Sequence, residues 1–201
     1  MTSQAPAPRA LHVLHVCTGN ICRSPMAERV MRARLATAYG HAVDVLVHSA
    51  GTYGGHAGHP MNPPAARELS TRGLDAGDFT ATWLREPQVA WADLVLTATA
   101  DHKAQVLALE PRALRRTFTL RELARLSRHM PPDALPPGTP GERLRALAAS
   151  AADLRGVHPP AARDADDIGD PYGGPQEEFA ATADQIEEAV RTVLAVVAAH
   201  R

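Results

Sequence analysis

Only two cysteines occur in this 201-residue chain, Cys17 and Cys22, and both fall in one short stretch. No disulfide framework can hold such a chain together. Charge of one sign is also missing: the formal net charge is −1, and Arg-rich pieces such as Arg112-Ala113-Leu114-Arg115-Arg116 are short. The electrostatic footprint of a nucleic-acid or anionic-membrane binder is therefore absent, and neither partner is expected. No apolar run approaches membrane-spanning length. The opening residues are polar and Pro-containing rather than a basic segment leading into a long apolar one. A disordered arm over 1–9 and a cytoplasmic protein are the expectations. Aromatic residues make up only 4% of the chain, which bears on any pocket meant to grip an aromatic ring. His56-x-x-His59 has metal-like spacing, but no cysteine or carboxylate completes a set nearby. It reads as a surface loop, and neither metal nor cofactor is expected.

What is present is a globular composition at a length that suits one domain with a core of its own. Leu11 to Val16 reads as a short buried strand, and a helix follows over about 25–38, with Ala27, Val30, Met31 and Leu35 at helical spacing. Val43 to Val47, Asp93 to Thr97 and Thr117 to Leu120 read as further strands. Asn62-Pro63 opens a helix ending near Gly73, and Trp83 and Trp91 flank another as packing residues. Helices are also expected over Asp101 to Leu109, from about Arg121, and over about 176–199. Strands alternating with helices predict a parallel sheet covered on both faces, a three-layer α/β domain.

Residues 127–166 break this rhythm. They are rich in proline and alanine, with Leu144, Leu147, Ala148 and Ala151 at helical spacing between Pro-rich flanks. The reading is an insertion containing one helix, a surface excursion in preference to a lid or a partner site.

Cys17-Thr18-Gly19-Asn20-Ile21-Cys22-Arg23-Ser24 lies between the first strand and a helix start, with Ser24 as cap, Pro25 at the first helical position and Glu28 in the first turn. Unpaired backbone N–H groups and the helix dipole favour negative charge there, which suits both a thiolate and a phosphate-like anion. Arg23, six residues after Cys17, brings a planar fork matched to phosphate oxygens. The combination predicts a thiolate that attacks a bound phosphate.

The longer string Val16-Cys17-x-Gly19-Asn20-x-Cys22-Arg23-Ser24-Pro25 resembles the low-molecular-weight protein tyrosine phosphatases. So does Asp170-Pro171-Tyr172 ahead of a C-terminal amphipathic helix. The resemblance implies a four-stranded flavodoxin-like sheet in the order 2-1-3-4, with the phosphatase domain over 10–201. It implies that Cys17 attacks phosphorus to form a phosphocysteine that water then hydrolyses. Backbone N–H groups of Thr18, Gly19, Asn20, Ile21, Cys22 and Arg23 would cradle the phosphate oxygens, or a sulfate, and Arg23 would bind two of them. Ser24 would hydrogen-bond the Cys17 sulfur. Asp170 would protonate the leaving oxygen and later act as base toward water. Asn20 is either a tether of the loop, supported through Ser49, or a tight-turn residue. Cys22 is either a buried filler or a reversible redox partner of Cys17.

The substrate implied is a phosphotyrosine protein or a small aryl phosphate. Tyr172 and Tyr53 are the candidate pocket walls, Tyr53 substituting for a tryptophan that the family often has where Gly55 stands. Gly173 follows Tyr172 where a second aromatic is frequent, Phe79 to Thr82 replaces a His-x-Ala-Arg segment, and Thr99 replaces an aspartate. Two rival readings stay open at this point: an arsenate reductase of similar fold, and a phosphate-binding regulator without turnover.

Overall fold

The computed structural model describes residues 9–40, 43–131 and 133–199. Four parallel strands, β1 (Leu11–Cys17), β2 (Val45–Gly51), β3 (Leu94–Thr97) and β4 (Thr117–Thr119), form one sheet in the order β2-β1-β3-β4. The helices are α1 (Arg23–Tyr39), α2 (Pro63–Thr71), α3 (Glu86–Trp91), α4 (Ala100–Leu109), α5 (Leu120–Ser127), α6 (Pro140–Leu154) and α7 (Gln176–Ala198). Short 3-10 turns lie at Gly54–His56 and Pro111–Arg116. Among the described residues no helix is long and apolar enough to cross a membrane. Of the expected arm, residues 1–8 lie outside the described residues, while Arg9 pairs with Asp93 at 2.6 Å.

Alternation along β1 divides the core. Leu11 and Val13 face one large cluster with Met26, Val30, Met31 and Leu35 of α1 and with the apolar stripes of α5 and α7. Leu14 and Val16 face a smaller one with Val89 and Val106. The sheet is thus sandwiched between α1, α5 and α7 on one side and α3 and α4 on the other. Each fully buried Leu, Val or Phe contributes about 1.5–3 kcal/mol relative to exposure. Every strand of the sheet points its C-terminal end to the same rim, where the chain leaves β1 for α1 and β3 for α4. Loops at that rim form the place where open α/β sheets bind ligands.

Two local expectations change. β2 runs on to Gly51, because His48 to Gly51 pair with Leu14 to Cys17 although their small and polar side chains hide the strand pattern. α1 begins at Arg23 rather than Pro25, and Ser24 is no cap: the N-cap is Cys22, without a side-chain cap bond.

The segment 127–166 is not a surface excursion. Leu144, Leu147, Ala148 and Ala151 of α6 are buried in the main core. The helix crosses the rim where strands enter the sheet. Gly141 N–H donates to Asp44 before β2 at 3.0 Å, Arg145 reaches Asp93 before β3 at 3.5 Å, and Arg155 donates to the Leu114 carbonyl before β4 at 2.8 Å. Arg143 is buried and donates to the Val197 and Ala199 carbonyls at 2.7 and 2.6 Å, closing the C-terminal end of α7. α6 therefore lies at the end opposite the Cys17 loop and is no lid.

Candidate active site

β1 delivers Cys17 to the rim, and the next five residues wrap into a loop that ends as α1 begins. The loop is held in shape by side chains rather than by a cap. Asn20 is fully buried at φ 53°, a left-handed conformation that Asn tolerates. Its Nδ2 donates to Ser24 Oγ at 2.9 Å and to Ser49 Oγ at 2.8 Å, and its Oδ1 accepts from Thr82 N at 2.8 Å. Ser49 in turn donates to the buried Glu28, which pairs with Arg32 at 3.0 Å. Asn20 is thus a tether as well as a turn residue, and the Phe79 to Thr82 segment reaches it through a backbone amide. Gly51 is required by close approach: a Cβ there would lie 2.6 Å from the Thr18 carbonyl oxygen and 2.8 Å from Asn20 N.

Replacing Asn20 by alanine leaves Ser24, Ser49 and the Thr82 amide short of partners and puts a Cβ-bearing residue without local hydrogen bonds at positive φ. The expected cost is about 3 kcal/mol, read as a fall in Tm of about 10 °C. An unchanged melting curve would show that the tether carries no stability.

Cys17 itself is buried, with Sγ 3.0 Å from Ser24 Oγ. Ser24 Oγ already accepts from Asn20, so its proton is left for the sulfur, with the Ala50 carbonyl at 3.4 Å as the weaker alternative. Cys22 is buried as well, and burial first, then the proximity of Cys17 and Asp170, push its thiol up to about 12. It stays protonated and is a poor nucleophile beside Cys17.

Arg23 is 5% exposed, in the first turn of α1. Its Nη2 donates to Asp170 Oδ2 at 2.7 Å and to Thr18 Oγ1 at 3.2 Å, and its Nη1 to the Ile168 carbonyl at 3.3 Å. Asp170 arrives on a return stretch that climbs from α6 to the C-terminal rim and is pinned along the way. Arg125 forks onto Asp166, Thr119 donates to the Asp166 carbonyl at 2.9 Å, and Ile168 N–H donates to the Ala98 carbonyl at 2.8 Å. The Asp170 side chain is still 49% exposed, so a well-anchored backbone presents a carboxylate open to ligand. Tyr172 N–H donates to Asp170 Oδ1 at 3.3 Å, which limits its rotation.

These groups line a cavity of about 150 Å³ formed by Cys17, Thr18, Gly19, Ile21, Cys22, Arg23, Tyr53, His56, Asp170 and Tyr172. Tyr53 and Tyr172 are exposed and stand at its mouth, with the half-buried His56 between them, ring centroids 5.7 and 6.1 Å away. His56 belongs to the pocket wall and not to an unrelated surface loop. Its neighbour His59 is exposed, and among the described residues no three His, Cys, Asp or Glu side chains are placed to hold a metal. Trp83 lies over Gly54 beneath the Arg85 guanidinium, and Trp91 lies against His12 with the rings tilted by 34°; both tryptophans pack on one face and stay exposed on the other.

The sequence draws attention to His56 only as half of a metal-like spacing, and to His102 not at all. His102, on α4, is buried behind the loop, 2.9 Å from Thr18 Oγ1 and 2.7 Å from Thr99 Oγ1. A one-turn spacing from the Thr99 cap was the available signal, but only the fold shows which loop that helix faces.

Comparison with known proteins gives a consistent pattern. The model of a family described as low molecular weight phosphotyrosine protein phosphatase matches residues 12–137. A low molecular weight protein-tyrosine-phosphatase of Streptomyces coelicolor is 34% identical, over 92% of each chain. The crystal structure of a low molecular weight protein tyrosine phosphatase from T. tengcongensis is similar at TM-score 0.67 and 28% identity, covering 92% of this chain and 98% of that one. A structure of the YwlE arginine phosphatase, in a variant with a phosphorylated active-site serine, is similar at TM-score 0.64 and 26% identity, covering 90% and 92%.

Proposed function

The chain belongs to the low-molecular-weight protein-tyrosine-phosphatase family, a family of cysteine-dependent hydrolases. From that premise we propose that it hydrolyses phosphotyrosine in proteins, or a related aryl phosphate monoester, through a phosphocysteine on Cys17. The observation that carries the reading is the convergence of Cys17, Arg23 and Asp170 on one cavity, with Arg23 and Asp170 in direct contact.

A phosphate entering the loop takes over the Arg23 fork from Asp170, because both present oxygens to the same Nη2. The carboxyl so released stands beside the leaving oxygen. Cys17 attacks phosphorus, the P–O bond to the aryl group breaks, and Asp170 gives its proton to that oxygen. Ser24 Oγ–H stabilises sulfur first as attacking thiolate and then as leaving group. In the second step Asp170, now a carboxylate, takes a proton from the water that attacks the phosphocysteine. The phosphorylated serine in the YwlE variant is consistent with a phosphoenzyme formed at the nucleophile position of this fold.

Wall chemistry favours an aryl ester over a phosphorylated guanidinium. Ile21, Tyr53 and Tyr172 offer apolar and aromatic surface suited to an aryl ring, and Asp170, the one carboxylate in the lining, is needed there as the proton donor to the leaving oxygen. The exposed position of both tyrosines leaves room for the flanking residues of a protein substrate. A thiol that must stay reduced to work supports a cytoplasmic location for the enzyme.

The test is hydrolysis of an aryl phosphate by the reduced protein across pH. The reaction needs Cys17 ionised and Asp170 protonated together, so a bell-shaped rate with an acidic optimum is expected. A rate climbing steadily to about pH 9 would contradict the assignment of Asp170. Stability sets the acid boundary of such an assay. Burial lowers His15 from 6.5 to about 3, and burial followed by the Arg23 charge lowers His102 to about 4. Both bind protons more readily unfolded, so stability is full above about pH 6.5 and is lost as pH falls towards those values.

A further inference from the structure

Thr18 follows the nucleophile and is exposed in the cavity lining, yet its hydroxyl oxygen is engaged from behind by two groups. Arg23 Nη2 donates to it at 3.2 Å, and His102 Nε2 lies 2.9 Å away. The second imidazole nitrogen, Nδ1, is 2.7 Å from Thr99 Oγ1, and that oxygen also accepts the His102 backbone N–H as the cap of α4. His102 is 5% exposed, and its lowered pKa of about 4 makes the ring neutral near neutral pH, with one N–H and one lone pair.

A neutral ring has two tautomers, and the network distinguishes them. With the proton on Nδ1, Thr99 Oγ1 accepts two N–H bonds and its own proton has no partner in the network. Thr18 then spends its hydroxyl proton on Nε2. With the proton on Nε2, Thr99 O–H donates to Nδ1 and Nε2–H donates to Thr18 Oγ1, so every polar hydrogen of Thr99 and of the ring is used. Thr18 Oγ1 now accepts from Arg23 and from His102. Both lone pairs are filled, and its proton is left to point into the cavity. The Arg23 cation polarises that O–H and makes it a stronger donor.

From this geometry we propose that Thr18 Oγ–H is a catalytic hydrogen-bond donor to a non-bridging oxygen of the transferring phosphoryl group. In the same arrangement His102 and Thr99 are positioning residues that keep its proton free. The inference rests on the phosphatase reading. It adds a side-chain donor to a cradle otherwise made of backbone N–H groups and Arg23. The Thr18 proton is not transferred: the hydrogen bond shortens as charge builds on the oxygen and relaxes afterwards, as preorganised donors of this kind act.

The test compares kcat and KM for an aryl phosphate in wild type, Thr18→Val, Thr18→Ser, His102→Leu, His102→Gln and the double variant Thr18→Val/His102→Leu. Thr18→Val is expected to lower kcat about 10- to 100-fold with KM changed less than about 3-fold. Thr18→Ser restores the rate to within about 5-fold of wild type, because it keeps the hydroxyl. His102→Leu copies Thr18→Val, and His102→Gln, which keeps an N–H donor, recovers most of the loss. The double variant is no slower than Thr18→Val alone, since both remove the same donor.

Melting curves give the folded fraction of each variant, and rates are taken per folded molecule. A structural role for His102 would instead leave the rate per folded molecule intact, or add its loss to that of Thr18→Val. Either result overturns the proposal, as does a Thr18→Val variant within about 2-fold of an active wild type. A wild type without turnover overturns the phosphatase reading and this proposal with it, which separates the two failures.

Discussion

Serine in place of Cys17 is expected to lower kcat by at least about 10⁵-fold, the scale on which loss of an enzyme nucleophile acts. The pocket explains why so small a change costs so much. The sulfur is buried at the end of β1, and the polar side chain hydrogen-bonded to it is Ser24 Oγ at 3.0 Å, itself committed to Asn20. That arrangement stabilises an anion once formed, but it supplies no base to form one. Sulfur is intrinsically the stronger nucleophile, whereas a serine hydroxyl depends on an adjacent base. The measurement is steady-state hydrolysis of an aryl phosphate, paired with binding of inorganic phosphate to the same variant. Phosphate should still bind, because the backbone cradle and Arg23 are intact. Turnover that survives the substitution would remove Cys17 from the mechanism.

The second large effect is expected at Asp170. Asp170→Asn removes the proton donor while keeping shape, and kcat should fall by about 10²–10⁴-fold. The loss should be greatest for phenyl esters, whose leaving group has a conjugate-acid pKa of about 10. It should shrink for activated esters, which need little help from an acid. KM should hold steady or fall, because the neutral amide no longer competes as strongly for Arg23, which now donates to Asp170 Oδ2 at 2.7 Å. The alkaline limb of the pH profile, which reports loss of the protonated acid, should flatten. Equal losses with good and poor leaving groups would reassign Asp170 to a structural role as the partner of Arg23.

How much of this was legible in the residues themselves follows from how local each feature is. The Cys17 loop can be read because its chemistry is set by neighbours in sequence, a strand end and a helix start, whereas the role of Asp170-Pro171-Tyr172 rests on the family resemblance. The sheet order came from the family resemblance, since strands of similar pattern do not declare their neighbours. Ser24 was misread as a cap because a serine before a proline has the right signature; its hydroxyl is drawn instead to Asn20 and Cys17 by contacts that form only when the loop closes. His56 and His102 reach the site through tertiary folding, from a 3-10 turn after β2 and from α4; the His56-x-x-His59 spacing suggests a metal and not a pocket wall, and the Thr99–His102 spacing does not say which loop it faces. The helical pattern of α6 was visible, but its docking beneath the strand starts was not. That position depends on Asp44 and Asp93, which lie far away in sequence.

The placement of α6 has a consequence for how such a protein can change over generations. The two rims of the sheet differ in task, with the chemistry and its Asn20 tether at one and anchorage alone at the other. Variation at the α6 rim can strengthen or loosen the molecule without touching the groups that handle phosphate, while the walls set by Tyr53, His56 and Tyr172 can be redrawn without disturbing what fastens the strands. A scaffold divided in this way can trade substrates on one flank while the reserve of stability that new walls require accumulates on the other.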